Sequence, residues 1–326
     1  MPALLEVRDL TVHYATGNEP AVVVNNLSLD VEEGEVVGLL GESGCGKTTL
    51  LLAILGLLPS SARVVMGSIR FRGRDLRALG KDELRGLRGG EVSIVFQEPA
   101  LALNPVLRVG VQVAEVVRAH RPWSGPRCRE EALAILAAVG LEEPLRIHDS
   151  YPHELSGGQL QRVVIAQALV CRPALVLADE PTASLDSTTQ AELRALLATL
   201  QGRFGIALLL VSHDLGALSG LAQTVHVMYA GSLVEAGTPV QVFRDPLHPY
   251  TRGLLRAFPG PPSAAASGER MALVPIPGAA PDPGHLPGGC AFEPRCPDRL
   301  AACAERAPEA TRPAGRRLVR CFKYGG

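Results

Sequence analysis

Residues 41–48, Gly41-Glu42-Ser43-Gly44-Cys45-Gly46-Lys47-Thr48, follow the pattern G-x-x-x-x-G-K-[ST]. Its glycines allow backbone N–H groups to turn inward around phosphate oxygens, and a helix opening directly afterwards adds positive potential at the same place. Lys47 is expected to reach the β- and γ-phosphates of a nucleotide, and the Thr48 hydroxyl to coordinate Mg²⁺, with Thr49 completing the set. A second stretch, Ala174-Leu-Val-Leu-Ala-Asp179-Glu180, is an apolar run that ends in two carboxylates. Asp179 can hold Mg²⁺ through water, and Glu180 can polarise the water that attacks the γ-phosphate. An apolar strand ending in two acids is commonplace by itself, and it gains meaning here because it lies downstream of the phosphate loop.

A third stretch is more specific. Leu155-Ser156-Gly157-Gly158-Gln159-Leu-Gln-Arg162 matches LSGGQ-x-QR, and Ser156 stands 23 residues before Asp179. With these three motifs in this order, the chain from about Leu5 to Val240 resembles an ABC transporter ATPase. The resemblance implies roles for further residues. Tyr14 resembles the aromatic that stacks on adenine. Gln97, in Val-Phe-Gln-Glu-Pro, resembles the Q-loop glutamine that also touches Mg²⁺. Ser184, Leu185 and Asp186 resemble the D-loop, and His213 the switch histidine that senses the γ-phosphate. Cys45 and Glu98 depart slightly from the usual pattern without changing this chemistry. Ser156, Gly157 and Gly158 open a helix expected from Gln159, so their N–H groups form a second anion-binding end. The resemblance implies that this end meets ATP held by a partner cassette in a head-to-tail dimer, which ATP closes and hydrolysis reopens.

Three other stretches narrow the resemblance: Ala102-Leu-Asn-Pro105, His248-Pro-Tyr-Thr251, and a tail bearing Cys290, Cys296, Cys303 and Cys321. Together they are similar to the ATPase subunits of oligopeptide and dipeptide importers, a group that also handles nickel chelates. This implies a heterodimer with a sister ATPase, two transmembrane permeases, an extracytoplasmic solute-binding protein, and a place on the cytoplasmic face of the membrane. The segment Pro99 to Leu155 would receive the coupling helices of the permeases. A soluble ABC ATPase acting on nucleic acid is the rival. It is disfavoured by a single cassette, no sustained heptads and a formal net charge of −1.

The tail cysteines are spaced x5, x6 and x17. Cytosolic thiols stay reduced, and zinc sites more often contain a C-x2-C pair. Four thiolates without that pair suit a [4Fe–4S] cluster, which the resemblance supports. Zn²⁺ and four unconnected thiols remain open. The charge is favourable for an anionic cluster, since residues 290–326 hold eight Arg and Lys against four Asp and Glu.

Positioning these residues requires a particular frame. Strands are expected within 4–40, at Ser68–Arg72, Val92–Phe96, Ala174–Ala178 and Ile206–Val211. Helices are expected at Thr48–Leu57, Val111–Arg118, Glu130–Val139, Gln159–Val170 and Ser187–Leu200. Their alternation implies a largely parallel sheet covered on both faces, an α/β cassette with a RecA-like core, an N-terminal antiparallel β region and a helical subdomain. We expect that cassette over 1–240, with its helical part at about 99–165, then a Pro- and Gly-rich linker at 241–289 and a cysteine-rich segment at 290–326. The longest apolar run, Leu50 to Leu58, falls far short of the roughly 20 residues that span a bilayer. The N-terminus also lacks the pattern of a secretion signal. A cytosolic protein that reaches a membrane through partners is therefore expected.

Overall fold

Two short apolar runs, Val36–Leu40 before Gly41 and Leu175–Ala178 before Asp179, form buried parallel strands. The computed structural model describes residues 3–16, 19–183, 185–213, 215–257, 274–313, 315 and 317–325. The chain folds as two compact units. One comprises Met1–Leu4, Val31–Val36 and Ala78–Ser212, and the other Leu5–Asp30, Val37–Arg77 and His213–Gly326.

In the first unit, strands Val92–Val95, Leu175–Asp179 and Ala207–Val211 lie side by side in parallel, with Val92 opposite Leu175 and Leu175 opposite Ala207. Every residue of the latter two strands is buried. That explains their unbroken apolar sequence, because a parallel strand covered on both faces has no solvent side to alternate toward. Helices Val109–His120, Gly125–Ala138, Pro144–Asp149 and Gly157–Leu169 pack on one another through Val113, Val117, Ala132, Ile135, Leu136 and Val163. The long helix Ser187–Phe204 is opened by Asp186, whose carboxylate accepts from the N–H groups of Thr188 and Thr189, and is closed by left-handed Gly205.

The second unit contains an antiparallel sheet in which strand Leu5–Thr16 lies between Glu19–Val31 and Ala62–Phe71. It also contains a second ladder. Strand Val36–Leu40 runs parallel to Thr224–Tyr229, which pairs antiparallel with Ser232–Gly237. On the far side of Ser232–Gly237 lies the short strand Leu318–Val319, with Glu235 opposite Val319. Helix Lys47–Leu55 follows the phosphate loop, and Gly56 at φ 62° ends it two residues earlier than expected. The expected 241–289 linker contains the helix Pro249–Ala257. Its residues 258–273 lie outside the described part of the chain.

The tail docks on this unit through aromatic packing and ion pairs. Phe292, 2% exposed, has its ring centroid 5.2 Å from Tyr229 and 5.4 Å from Tyr250. Burying one such ring contributes roughly 1.5–3 kcal/mol. Arg317 pairs with fully buried Glu235 at 3.3 Å and with Asp245 at 3.0 Å. Glu235 also accepts the N–H groups of Leu247 and His248. The His248 ring takes the Tyr250 N–H on Nδ1 and bonds to the Arg320 backbone, and burial drives its pKa down to about 3. The histidine is neutral and structural.

Candidate active site

In the second unit, Gly41 leaves the end of strand Val36–Leu40 where a Cβ would lie 2.4 Å from the Met228 carbonyl oxygen. Gly46 sits at φ 105°, where a Cβ would approach the Val23 carbonyl to 2.4 Å. Only glycine meets both demands. The loop between them exposes Ser43 and Gly44 and buries Cys45. Burial pushes the Cys45 thiol up, so it is a packed, protonated side chain. Lys47, 7% exposed, donates from Nζ to the carbonyls of Gly41 and Glu42, both at 2.9 Å. Its ammonium is thereby held inside the loop. Thr48 is exposed on the first turn of helix Lys47–Leu55, while Thr49 is buried and lies 3.4 Å from the Tyr14 hydroxyl. Tyr14 lines a cavity of about 690 Å³ together with Glu19, Ala21, Val23 and the segment Asp282–His285. An aromatic wall beside the phosphate loop is what a nucleotide base requires. Asp282 and His285 join that wall without any local motif to mark them.

In the first unit, Asp179 ends its strand at 5% exposure, and Glu180 follows with φ 46°. A non-glycine residue held in the left-handed region stores on the order of 1–3 kcal/mol, and such positions concentrate at functional sites. The Glu180 N–H is fixed to the Val211 carbonyl at 2.9 Å. Gln97 donates from Nε2 to Oε2 of Glu180 at 3.4 Å, so these two residues, distant in sequence, come together.

Helix Gly157–Leu169 begins two residues earlier than expected, because Ser156 caps it. The Ser156 hydroxyl accepts from the Gln159 N–H at 3.3 Å, and Gln159 Oε1 accepts from the Ser156 N–H at 3.1 Å. This reciprocal box leaves Ser156 and Gly157 exposed at a helix mouth, with Gly158 half-buried. Arg162 anchors the helix by donating to the Val139 carbonyl and pairing with Glu192. Asp186 is the cap of helix Ser187–Phe204, and its bonds from Thr189 hold its carboxyl below the usual range. Leu185 precedes it; Ser184 lies outside the described residues. His213 is exposed in the second unit.

The four tail cysteines come together, since Cys290, Cys296, Cys303 and Cys321 all line one small cavity with His248 and Phe292. Among the described residues, however, no group of three or more His, Cys, Asp or Glu side chains is arranged to hold a metal ion.

Comparisons with known proteins place the chain in a family. The profile of the ABC transporter family matches residues 24–183, and that of the oligopeptide/dipeptide transporter C-terminal region matches residues 234–303. The chain belongs to the ABC transporter ATP-binding family and is an ATPase of that family with the cassette's mixed α/β sheets. It is 42% identical to the oligopeptide transport ATP-binding protein AppD of Bacillus subtilis, covering 99% of this chain and 98% of that one. It is 43% identical to OppD of Salmonella typhimurium, over 98% of this chain and 93% of the relative. The dipeptide transport ATP-binding protein DppD of Escherichia coli is 42% identical, over 98% and 96%. Among solved structures, the dimeric post-hydrolysis state of the cassette MJ0796 bound to ADP and Pi gives a TM-score of 0.65 at 31% identity, covering 72% of this chain and 98% of that one. The cbiO1 subunit from Clostridium perfringens gives 0.64 at 28% identity, over 75% and 92%.

Proposed function

We propose that this chain is the ATP-hydrolysing subunit of a membrane importer for di- or oligopeptides. The observation that carries the reading is the joint match of the cassette and the peptide-transporter C-terminal region within one chain, to relatives named for peptide transport. In this reading Lys47 and the loop N–H groups grip the phosphates, and Thr48, Gln97 and Asp179 serve the magnesium ion. Glu180 acts as general base, and His213 senses the γ-phosphate. The exposed mouth at Ser156–Gly158 serves the nucleotide of a second, homologous cassette, with Leu185 and Asp186 beside that interface. Two permeases and an extracytoplasmic solute-binding protein complete the assembly.

Among the described residues no helix is long and apolar enough to cross a membrane. Peripheral attachment through the permeases follows from this reading. Phe96, Leu101, Val106, Val111 and Leu145, all in the first unit, are large apolar side chains left 39–80% exposed. Leu101, Val106, Val111 and Leu145 fall on the stretch expected to receive the permeases, and Phe96 lies just before it.

The reading extends to the tail, where Cys290, Cys296, Cys303 and Cys321 would hold a [4Fe–4S] cluster. Support comes from their convergence on one cavity and from their all-sulfur donor set, which Zn²⁺ would also accept. When bound, such a group would fasten the tail. Anaerobic purification with iron, sulfide and zinc analysis decides between the metals, and a folded tail free of all three sinks both.

Co-expression with the neighbouring reading frames tests the assembly. Co-purification with two polytopic membrane proteins, and peptide-stimulated phosphate release, are expected. An active ATPase that associates with no membrane protein would overturn the importer reading.

A further inference from the structure

The second residue of the phosphate loop is held from the other end of the chain. Arg295 donates from Nη1 to Oε2 of Glu42 at 2.9 Å and from Nη2 to Oε1 at 3.1 Å. The two residues are separated by 253 positions. A guanidinium and a carboxylate meeting fork to fork give the most directional ion pair available to side chains. The Arg295 side chain is only 7% exposed. Two further donors are also used, Nε on the Pro277 carbonyl at 3.0 Å and Nη1 on the Tyr229 hydroxyl at 3.3 Å. Such a group cannot swing away to another partner.

Glu42 is a node of the loop. Its carbonyl accepts from Lys47 Nζ at 2.9 Å and from the Cys45 N–H at 3.3 Å. Its N–H donates to the Tyr250 hydroxyl at 2.9 Å. The loop glycines are permissive by design, so something else must select one loop shape out of many. Arg295 and Tyr250 do this from outside the loop. Arg295 sits in a single helical turn, Glu293–Arg295, between buried Phe292 and half-buried Cys296. Whatever anchors that turn also anchors Glu42.

We propose that Arg295 is a positioning residue for nucleotide binding: through Glu42 it fixes the carbonyl that orients Lys47, so that nucleotide affinity is set in part by the C-terminal tail. This rests on the reading of Gly41–Thr48 as the phosphate site. A loop displaced by a fraction of an ångström would weaken binding of the ground state while leaving the general base untouched. The effect should therefore appear in KM rather than in kcat.

The test uses the full chain in its assembled complex, with KM and kcat for MgATP measured for Arg295→Met, Arg295→Lys, Glu42→Gln and the Arg295→Met/Glu42→Gln pair. Dissociation constants for a fluorescent ATP analogue are measured on the same proteins. For Arg295→Met we expect KM to rise by about tenfold and kcat to change by less than about threefold. Arg295→Lys, which keeps the charge without the fork, should recover part of the loss. The double variant should be no worse than the worse single one, because both remove the same connection. If Arg295→Met fails to fold, Glu42→Gln, which preserves side-chain shape, carries the same expectation. A KM within twofold of the parent for every folded variant, or strictly additive losses in the pair, overturns the proposal. A parent protein that binds no nucleotide overturns the phosphate-site reading instead.

Discussion

Gln97 and Glu180 meet at 3.4 Å, amide nitrogen to carboxylate oxygen, although 83 residues separate them. The contact places a neutral donor against the carboxylate read as general base. Glu180→Gln should therefore keep nucleotide binding and lower multiple-turnover phosphate release by roughly 10²–10⁴-fold. Normal turnover in that variant removes Glu180 from the role.

Gly46 offers a purely steric experiment. Alanine there must hold φ 105° and push a methyl group toward the Val23 carbonyl, 2.4 Å from the ideal Cβ. The backbone penalty alone is about 1–2 kcal/mol, and the clash adds to it. Gly46→Ala should weaken ATP-analogue binding by tenfold or more. Gly44→Ala, with φ 79° and no atom within 4 Å of its Cβ, should cost less. Equal losses at the two positions would argue against the close approach.

Ser156 carries two separable effects. Its hydroxyl caps helix Gly157–Leu169, so Ser156→Ala should lower unfolding stability by about 1 kcal/mol in a urea titration. The same change should depress turnover in the assembled complex while leaving nucleotide binding by the isolated chain unaltered. Loss of binding in the isolated chain would contradict a role toward a partner.

Removing Arg317 leaves Glu235, fully buried, with an uncompensated charge. Stripping one partner from such a pair costs about 3–5 kcal/mol. Arg317→Met should show that loss in urea unfolding, and adding Glu235→Gln should restore much of it. If the second change makes matters worse, the Leu247 and His248 N–H bonds to Glu235, rather than the ion pair, dominate the site.

Much of the cassette was legible because its chemistry is local in sequence. The phosphate loop, the strand ending at Asp179 and the helix after Ser156 each announce themselves within a dozen residues, and the expected strands at Val92 and Leu175 form within one or two residues of their expected ends. Helix ends shifted where a cap acts before the apolar pattern begins, as Ser156 does, or where Gly56 stops it early. The hairpin Thr224–Gly237 went unread because its signal is short and its turn, Ala230-Gly231, is weak. His248-Pro-Tyr-Thr251 was visible as a marker of kinship, but its physical task was not. It joins Glu235, the Arg320 backbone and the Glu42 N–H, partners found only after folding. Arg295 had no signal at all, being one of several arginines in a basic tail.

The two-residue strand Leu318–Val319 has a consequence beyond holding the tail. Without it, Ser232–Gly237 would present a bare margin of N–H and C=O groups, a template on which another chain could add itself. Leu318–Val319 covers that margin at Glu235 and Ala236. A truncation just before Leu318 would expose that margin and invite aggregation, even where every nucleotide-handling group is intact.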